Sequence, residues 1–305
     1  MSALVDLSVQ VGPSRLQNPV VAASGTFGFG REAQAFMDLQ SLGGISAKAV
    51  TVEPRSGNLP PRTAETASGL LNSVGLQNPG LQHYLAYELP FMTAAGFFIV
   101  QNIAGDTVED YVQLAEALDQ TSVQVIELNL SCPNVKHGLS FGARPPLIKE
   151  VTAAVRKVTT KPLWVKLTPN VTSITEAAQA AREGGADAVS LINTLLGMAI
   201  DWRSRRPILH NNTGGLSGPA VKPVALRMVN EVYRTVDIPI VGMGGIMTAE
   251  DVLEFMLAGA SCVQVGTANL LHPQAMPQII RDLESCCQEQ GITRLSQLIG
   301  QLQLW

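Results

Sequence analysis

Eight short, β-rich apolar runs recur along this chain, each followed by a helical pattern, and they restrict its fold more than any other feature. The runs cover residues 19–24, 43–50, 97–105, 123–131, 162–169, 188–194, 238–245 and 262–268. Apolar strands that alternate with amphipathic helices pair in parallel, and helices cover both faces of the sheet. Eight such units predict an α/β fold, a (β/α)8 TIM barrel.

The main alternative is a doubly wound open sheet, which has fewer strands and a glycine-rich first turn. Here the first run continues as ASGTFGFG, which is not the GxGxxG pattern of dinucleotide-binding folds. Helical patterns lie at residues 106–120, 174–185 and 248–260, and the last begins with Thr-x-x-Asp, the spacing of a capping box. We therefore expect one barrel domain over residues 1–305.

Two connections are too long for ordinary turns. Residues 51–78 follow the second run and residues 195–220 follow the sixth, and both are rich in Gly, Pro, Asn, Ser and Arg. Long connections in a compact domain usually form lids or binding loops. Because both leave the carboxyl end of a strand, the sequence predicts long loops at the C-terminal rim of the barrel.

Composition excludes several classes of protein. The chain is 46% hydrophobic and 15% charged, with a net charge of −4, and its longest basic run is RSRR at 203–206. These values argue against a nucleic-acid-binding protein, which usually carries a basic patch. No apolar stretch approaches the roughly 18–20 residues that span a bilayer, and the first residues, MSALVDLSVQVG, show no targeting pattern. We expect a cytoplasmic protein that contacts neither membrane nor nucleic acid.

The cysteines and histidines do not predict a metal site. Cysteines stand at positions 132, 262, 286 and 287, and the four histidines are scattered singly. These spacings match neither zinc nor iron–sulfur ligand patterns. We expect free thiols and no bound metal, with Cys262, Cys286 and Cys287 in structural roles.

Polar or small residues end all eight runs, where a TIM barrel gathers its active site. A strand-end Asn or Gly is often only turn chemistry. A lysine preceded by apolar residues, as in LWVKL, needs an anionic or strongly polar partner. The set therefore predicts a polar, partly anionic ligand. Its members are Ser24, Gly25, Lys48, Asn102, Asn129, Lys166, Asn193, Thr194, Gly244, Gly245, Gly266 and Thr267.

The glycines of the last two strand ends indicate phosphate. GMGG at 242–245 and VGT at 265–267 stand where barrel enzymes commonly bind phosphate through backbone N–H groups. The alternative is close packing of a helix on a strand. A phosphate-bearing flavin would also explain Lys166, because a cation beside the N1/C2 carbonyl of the ring stabilises the anionic reduced form.

Cys132 follows the fourth run in a loop rich in Asn, Gly and Pro. A lone cysteine is usually a buried structural residue, but this position favours a functional one. A thiol with a pKa of about 8.5 is a few per cent thiolate at neutral pH and so can accept a proton. A base on one face of a substrate and a flavin on the other would dehydrogenate a C–C bond beside a carbonyl.

Several motifs resemble those of one family, in the same order and over essentially the whole chain. They are SAKAVT (46–51), NSVGLQNPG (72–80), LNLSCPNVKHG (128–138), INT (192–194), GGLSGPAVKPVALRMV (214–229) and GMGGI (242–246). They resemble the dihydroorotate dehydrogenases, specifically the class 1 enzymes, and most closely the catalytic subunit of class 1B. The resemblance implies FMN-dependent oxidation of dihydroorotate to orotate in pyrimidine biosynthesis.

The resemblance also implies roles for individual residues. Cys132 would be the general base, removing the proton from C5 of dihydroorotate while C6 gives hydride to FMN. Substrate would be bound by Lys48, Asn72, Ser73, Val74, Gly75, Leu76, Asn129, Asn134, Asn193 and Thr194. FMN would be bound by Ser24, Gly25, Lys48, Ala49, Asn102, Asn129, Lys166, Ile192, Gly218, Gly244, Gly245, Gly266 and Thr267.

The resemblance to class 1B further implies partners. A homodimer of this chain would join an electron-transfer subunit in a heterotetramer, and that subunit would carry FAD and a [2Fe–2S] cluster and pass electrons to NAD⁺. Three other interpretations stay open at this point. They are a dihydropyrimidine dehydrogenase-like flavin barrel, a class 1A enzyme that uses fumarate, and a non-catalytic flavin-binding subunit.

Overall fold

Eight parallel strands close into a barrel in the computed structural model of the protein, which describes residues 5–130 and 141–305. They are β1 (Val20–Ala22), β2 (Gly44–Val50), β3 (Ile99–Ile103), β4 (Val125–Asn129), β5 (Leu163–Lys166), β6 (Ala188–Leu191), β7 (Ile240–Met243) and β8 (Cys262–Val265). Each strand pairs with the next in the chain, and β8 pairs with β1. Each strand falls within one of the eight predicted runs, so the predicted barrel is confirmed.

Helices cover the outside of the barrel. They are α1 (Leu89–Ala95), α2 (Val108–Asp119), α3 (Pro145–Arg156), α4 (Ile174–Glu183), α5 (Lys222–Tyr233), α6 (Ala249–Ala258), α7 (Thr267–Leu271) and α8 (Ala275–Glu289). A helical turn (Leu81–His83) and a π-helical stretch (Tyr84–Glu88) precede α1 directly. After β1, two short 3₁₀ helices (Ala33–Ala35 and Leu39–Ser41) occupy the place of an α-helix.

The predicted capping box at α6 is present. The backbone N–H of Asp251 donates to Thr248 Oγ1 at 3.4 Å, and the backbone N–H of Thr248 donates to Asp251 Oδ2 at 3.0 Å. The same reciprocal pair starts α2 with Thr107 and Asp110. Each box satisfies two amide groups that a helix otherwise leaves without partners, which fixes the first turn of the helix against the barrel.

The two long connections are not simple loops. Their residues form a four-stranded antiparallel sheet over the barrel mouth, in the order Leu195–Gly197, Gly214–Ser217, Gly69–Asn72 and Thr63–Thr66. We call this the rim sheet. A short pair, Ile200–Asp201 with Arg206–Pro207, extends beyond it, and a hairpin of Val9–Val11 and Ser14–Leu16 precedes β1. The sequence predicts the positions of these connections but not their pairing.

The three cysteines that fall within the described residues are free thiols. Cys262 is buried in β8, while Cys286 and Cys287 lie on α8, as the sequence predicts for structural cysteines. Burial raises the pKa of the Cys262 thiol, and the nearby charge of Glu127 raises it further. None of the helices in the described part of the chain is both long and apolar enough to cross a membrane.

Candidate active site

The mouth of the barrel is described except for its fourth strand-end loop. Cys132 and Asn134, the predicted base and one predicted substrate ligand, lie outside the described residues. The structure places the remaining predicted residues, which lie at the strand ends and in the rim sheet.

Lys166 places one cation at the mouth. It is the last residue of β5, and only 4% of its surface is exposed. Its ammonium donates a hydrogen bond to Ser24 Oγ at 3.1 Å, across the barrel from β5. Burial lowers the pKa of Lys166, and the negative charge of Glu127 partly opposes that shift. The polar partners predicted for this lysine are thus the hydroxyl of Ser24, in direct contact, and the carboxylate of Glu127, which acts through space.

Two asparagines lie beside this lysine. Asn129 pairs with Lys166 in the register of β4 and β5, so both side chains point into the barrel at the same level. The side-chain N–H of Asn129 donates to Asn102 Oδ1 at 3.3 Å, and Tyr111 Oη donates to the backbone carbonyl of Asn129 at 2.9 Å. The structure therefore brings together an ammonium and two amides, as predicted.

Lys48 supplies a second cation from β2. Its side chain is half-buried, and its pKa is lowered first by burial and then by the positive charge of Arg62. Its backbone N–H donates to the carbonyl of Gly28 at 2.9 Å, which ties β2 to the loop after β1. Ala49, the next residue, is buried with 4% of its surface exposed.

The predicted substrate loop, residues 72–76, follows a strand of the rim sheet, and Asn58 donates two hydrogen bonds to its backbone. The backbone N–H of Asn58 donates to the carbonyl of Val74 at 3.0 Å, and its side chain donates to the carbonyl of Ser73 at 2.9 Å. Gly75 and Leu76 both have positive φ, at 75° and 55°. The hydroxyl of Ser73 is buried without a hydrogen-bond partner, which is the state expected of a group that awaits a ligand.

Asn72 and Thr194 both contact Gly215. The side chain of Asn72 donates to the carbonyl of Gly215 at 3.4 Å, and a Cβ placed on Gly215 would collide with Thr194 Oγ1. The backbone N–H of Thr194 donates to Asn193 Oδ1 at 2.7 Å. The rim sheet thus brings Asn72, from the first long connection, close to Thr194 just after the end of β6.

Glycines form a cradle of bare backbone at the ends of β7 and β8. A Cβ on Gly245 would lie 2.8 Å from the backbone N of Lys222 and 2.9 Å from the carbonyl of Gly218. Thr267, at the start of α7, donates through Oγ1 to Ser217 Oγ at 2.9 Å. These contacts gather five predicted residues into one place, which we call the glycine cradle, and backbone amides in such a place suit a phosphate group. The five are Gly218, Gly244, Gly245, Gly266 and Thr267.

Two predicted cofactor residues lie at the edges of this arrangement. The backbone N–H of Ile192 donates to the carbonyl of Met243 at 3.0 Å, and its side chain is buried beside Gly244. Gly25 is exposed with φ of 88°, and no atom lies within 4 Å of where its Cβ would be. Ile192 is therefore part of the wall of the mouth, whereas Gly25 lies at its open side.

Sequence reasoning missed a buried polar layer below the mouth. Glu127 on β4 is fully buried and accepts hydrogen bonds from residues of four other strands. The available signal was the acid itself, since VIELN places a carboxylate between apolar residues of a buried strand. Within residues 5–130 and 141–305, no three His, Cys, Asp or Glu side chains come together to hold a metal ion.

The fold and the site together define a TIM-barrel protein whose mouth combines one buried and one half-buried lysine, amides and the glycine cradle. Residues 6–287 match the family model described as dihydroorotate dehydrogenase. The chain belongs to the dihydroorotate dehydrogenase family.

Similar proteins carry a more specific name. Three relatives bear the name dihydroorotate dehydrogenase B (NAD(+)), catalytic subunit. The relative from Alkaliphilus oremlandii is 53% identical over 97% of this chain and 99% of its own. The one from Geobacillus kaustophilus is 54% identical over 96% and 95%, and the one from Listeria monocytogenes is 52% identical over 96% and 97%.

Proposed function

We propose that this chain is a dihydroorotate dehydrogenase catalytic subunit that oxidises dihydroorotate to orotate in pyrimidine biosynthesis, with FMN as its cofactor. Residues 1–305 would act as one FMN-binding domain in the cytoplasm. The observation that carries the proposal is the placement of Lys166 beside Asn102 and Asn129, with the glycine cradle at the neighbouring strand ends.

The residues of the mouth fit FMN. The cradle of Gly218, Gly244 and Gly245 would offer backbone N–H groups to the phosphate. Gly245 packs so closely on the backbone of Lys222 and Gly218 that a Cβ would collide there. Lys166 would lie at the N1/C2 side of the ring, where an ammonium favours added negative charge. Ser24, Gly25, Ala49, Asn102 and Ile192 would line the ring and the ribityl chain. Bound FMN supplies the hydride acceptor for the reaction.

The remaining residues suit a flat substrate that carries a carboxylate. Lys48 supplies a cation for that carboxylate, and the amides of Asn72, Asn129 and Asn193 donate to and accept from its ring without adding charge. Asn134 and Ser73 to Leu76 would complete the clamp, with Thr194 beside them. Cys132 would take the proton from C5 while hydride leaves C6, so that one C–C single bond becomes double and one proton and one hydride depart.

A partner would complete electron transfer. The relatives' names contain both NAD(+) and catalytic subunit, which supports a second subunit that carries FAD and a [2Fe–2S] cluster and reduces NAD⁺.

An exposed apolar stripe supports a homodimer as well. Leu196, Met198, Ile200 and Trp202 stand at alternate positions of segment 195–202 and are 51–73% exposed, and exposed apolar patches usually mark protein interfaces.

Anaerobic mixing of the purified chain with candidate substrates tests the function. We expect dihydroorotate to bleach the visible absorbance of the bound flavin and dihydrouracil to leave it unchanged, because only dihydroorotate carries a carboxylate for Lys48. Bleaching by dihydrouracil instead would indicate a dihydropyrimidine dehydrogenase-like enzyme. A flavin that neither compound reduces would contradict any catalytic role of this kind. Bleaching by dihydroorotate followed by reoxidation with fumarate would indicate class 1A.

Substitution of Gly245 by alanine tests the cradle. The new Cβ would press on the backbone of Lys222 and Gly218, so we expect the dissociation constant of FMN to rise about tenfold or more, equivalent to about 1.4 kcal/mol. Gly291→Ala is a matched control. Gly291 also has positive φ, at 67°, but no atom lies within 4 Å of its Cβ position. The control should lower stability through backbone strain alone and leave FMN affinity unchanged; equal FMN losses in both variants would argue against the cradle.

A further inference from the structure

Glu127 makes the interior of this barrel unusual. TIM-barrel interiors are filled mostly by Val, Ile and Leu, whereas the Glu127 carboxylate is buried here among polar side chains. Its Oε2 accepts from Ser46 Oγ at 3.0 Å and from Asn102 Nδ2 at 2.6 Å. Its Oε1 accepts from Ser190 Oγ at 2.7 Å and from Gln264 Nε2 at 2.8 Å. Four donors satisfy an ionised carboxylate, which only accepts hydrogen bonds.

These four donors are neutral, so the negative charge of Glu127 is not balanced in direct contact. A buried charge without an opposite charge is costly. Lys166 provides that opposite charge from the layer above: it follows Trp164, the register partner of Glu127, by two residues. Although both residues are described, no direct ion pair joins them, and they interact through space. Because Lys166 is itself almost fully buried, this interaction is weakly screened by water.

Glu127 also fixes the orientation of an amide at the mouth. Since the carboxylate only accepts, the side-chain N–H₂ of Asn102 must point inward to Glu127 and its carbonyl outward. That carbonyl then accepts from the side chain of Asn129 at 3.3 Å. A chain of contacts therefore runs from Glu127 through Asn102 to Asn129, and it determines which amide atoms face the mouth.

We propose that Glu127 is a positioning residue of the active site, whose buried carboxylate orients Asn102 and supplies the counter-charge for Lys166. The proposal deepens the function proposed above and rests on it for the roles of Asn102 and Lys166. Glu127 itself lies below the reacting atoms and contacts neither substrate nor cofactor in this scheme. A purely structural role, in which the polar layer only sets the register of the strands, is the competing explanation.

Glu127→Gln removes the charge and preserves the shape. An N–H₂ group takes the position of Oε1 in this variant. It can donate a hydrogen bond directly to Ser190 Oγ. Gln264 Oε1 is buried without a hydrogen-bond partner, so rotation of the Gln264 amide by half a turn presents this oxygen to the new N–H₂ group. The new N–H₂ group then has two acceptors, Ser190 Oγ and Gln264 Oε1, and we expect the variant to fold.

The protonation of Lys166 is the direct readout. The chain has seven lysines, so ¹³C labelling at lysine Cε gives few NMR signals, and loss of one signal in Lys166→Met assigns Lys166. In the flavin-free protein we expect Lys166 to titrate at lower pH in Glu127→Gln than in the wild type. Glu127→Asp keeps the charge on a shorter side chain and should titrate close to the wild type, even where it lowers stability.

Asp187→Asn is a matched control for the loss of a carboxylate. Asp187 accepts from Arg156 at 2.9 Å and from the backbone N–H of Leu163 at 2.8 Å, at the opposite end of β5 from Lys166. This variant should lower stability and leave the Lys166 titration unchanged. Identical titrations in Glu127→Gln and the wild type, or equal displacements in Glu127→Gln and Asp187→Asn, would overturn the proposal in favour of the structural role.

The pH profile of flavin reduction by dihydroorotate is the second readout. We expect its alkaline limb to move to lower pH in Glu127→Gln and to stay in place in Asp187→Asn. The two readouts separate the proposals. If dihydroorotate does not reduce the wild-type flavin, the proposed function fails, while the NMR titration, which needs neither flavin nor substrate, still decides whether Glu127 controls Lys166.

Discussion

Replacement of Cys132 by alanine is expected to slow the reduction of bound FMN by dihydroorotate by about 10²–10⁴-fold, the usual effect of removing a general base. The methyl group cannot accept the C5 proton, and water is a poor substitute for a positioned base. FMN should stay bound, because none of the residues proposed to hold its phosphate or ring is changed. Anaerobic stopped-flow measurement of flavin bleaching, with FMN content determined on the same sample, checks both expectations.

Cys286→Ala is the matched control for this substitution. Cys286 is a half-buried thiol on α8, and burial together with nearby carboxylates raises its pKa. Little thiolate therefore forms at neutral pH, and Cys286 lies on α8 rather than at the mouth. We expect wild-type rates from Cys286→Ala. A Cys132→Ala enzyme that bleaches as fast as the wild type would remove Cys132 from the mechanism, and loss of FMN from that variant would indicate a structural role instead.

The barrel itself is predictable from the sequence because its signal is local. Each strand run, such as 162–169 around Leu163–Lys166, carries its own apolar pattern, and each capping box lies within four residues. Parallel pairing then follows from the alternation of strands with helices. The strand-end positions of Lys166, Asn102 and Asn129 follow from the same reasoning, which is why the structure brings these three together as expected.

The rim sheet and the polar layer were not predictable because they depend on distant partners. Gly215 pairs with Asn72 from a connection far away in the chain, and neither segment shows the alternating pattern of a strand. Glu127 is similar. An acid in VIELN signals a buried polar group, but its donors on β2, β3, β6 and β8 become neighbours only when the barrel closes.

Replacement of Lys166 by methionine is expected to slow flavin reduction by about 10²–10³-fold, comparable with the loss of one preorganised group that stabilises developing charge. Hydride transfer adds negative charge to the ring, and Lys166 is almost fully buried, so its ammonium acts where water screens little. Methionine keeps most of the side-chain volume but removes the charge and the donor to Ser24. FMN should also dissociate more readily from this variant.

The pH dependence of flavin reduction and a control substitution at the surface also test the role of Lys166. The ammonium form of Lys166 is the active one, and burial lowers its pKa, so wild-type reduction should decline as pH rises through a range below that of an exposed lysine. Lys149→Met is the control, because Lys149 pairs with Glu183 at 2.8 Å and both side chains are 53% exposed; exposed pairs of this kind contribute little. Stopped-flow rates across a pH series test both variants. Unchanged reduction rates and unchanged FMN affinity in Lys166→Met would contradict a role for this cation. A buried ammonium that did not interact with the flavin would only destabilise the fold.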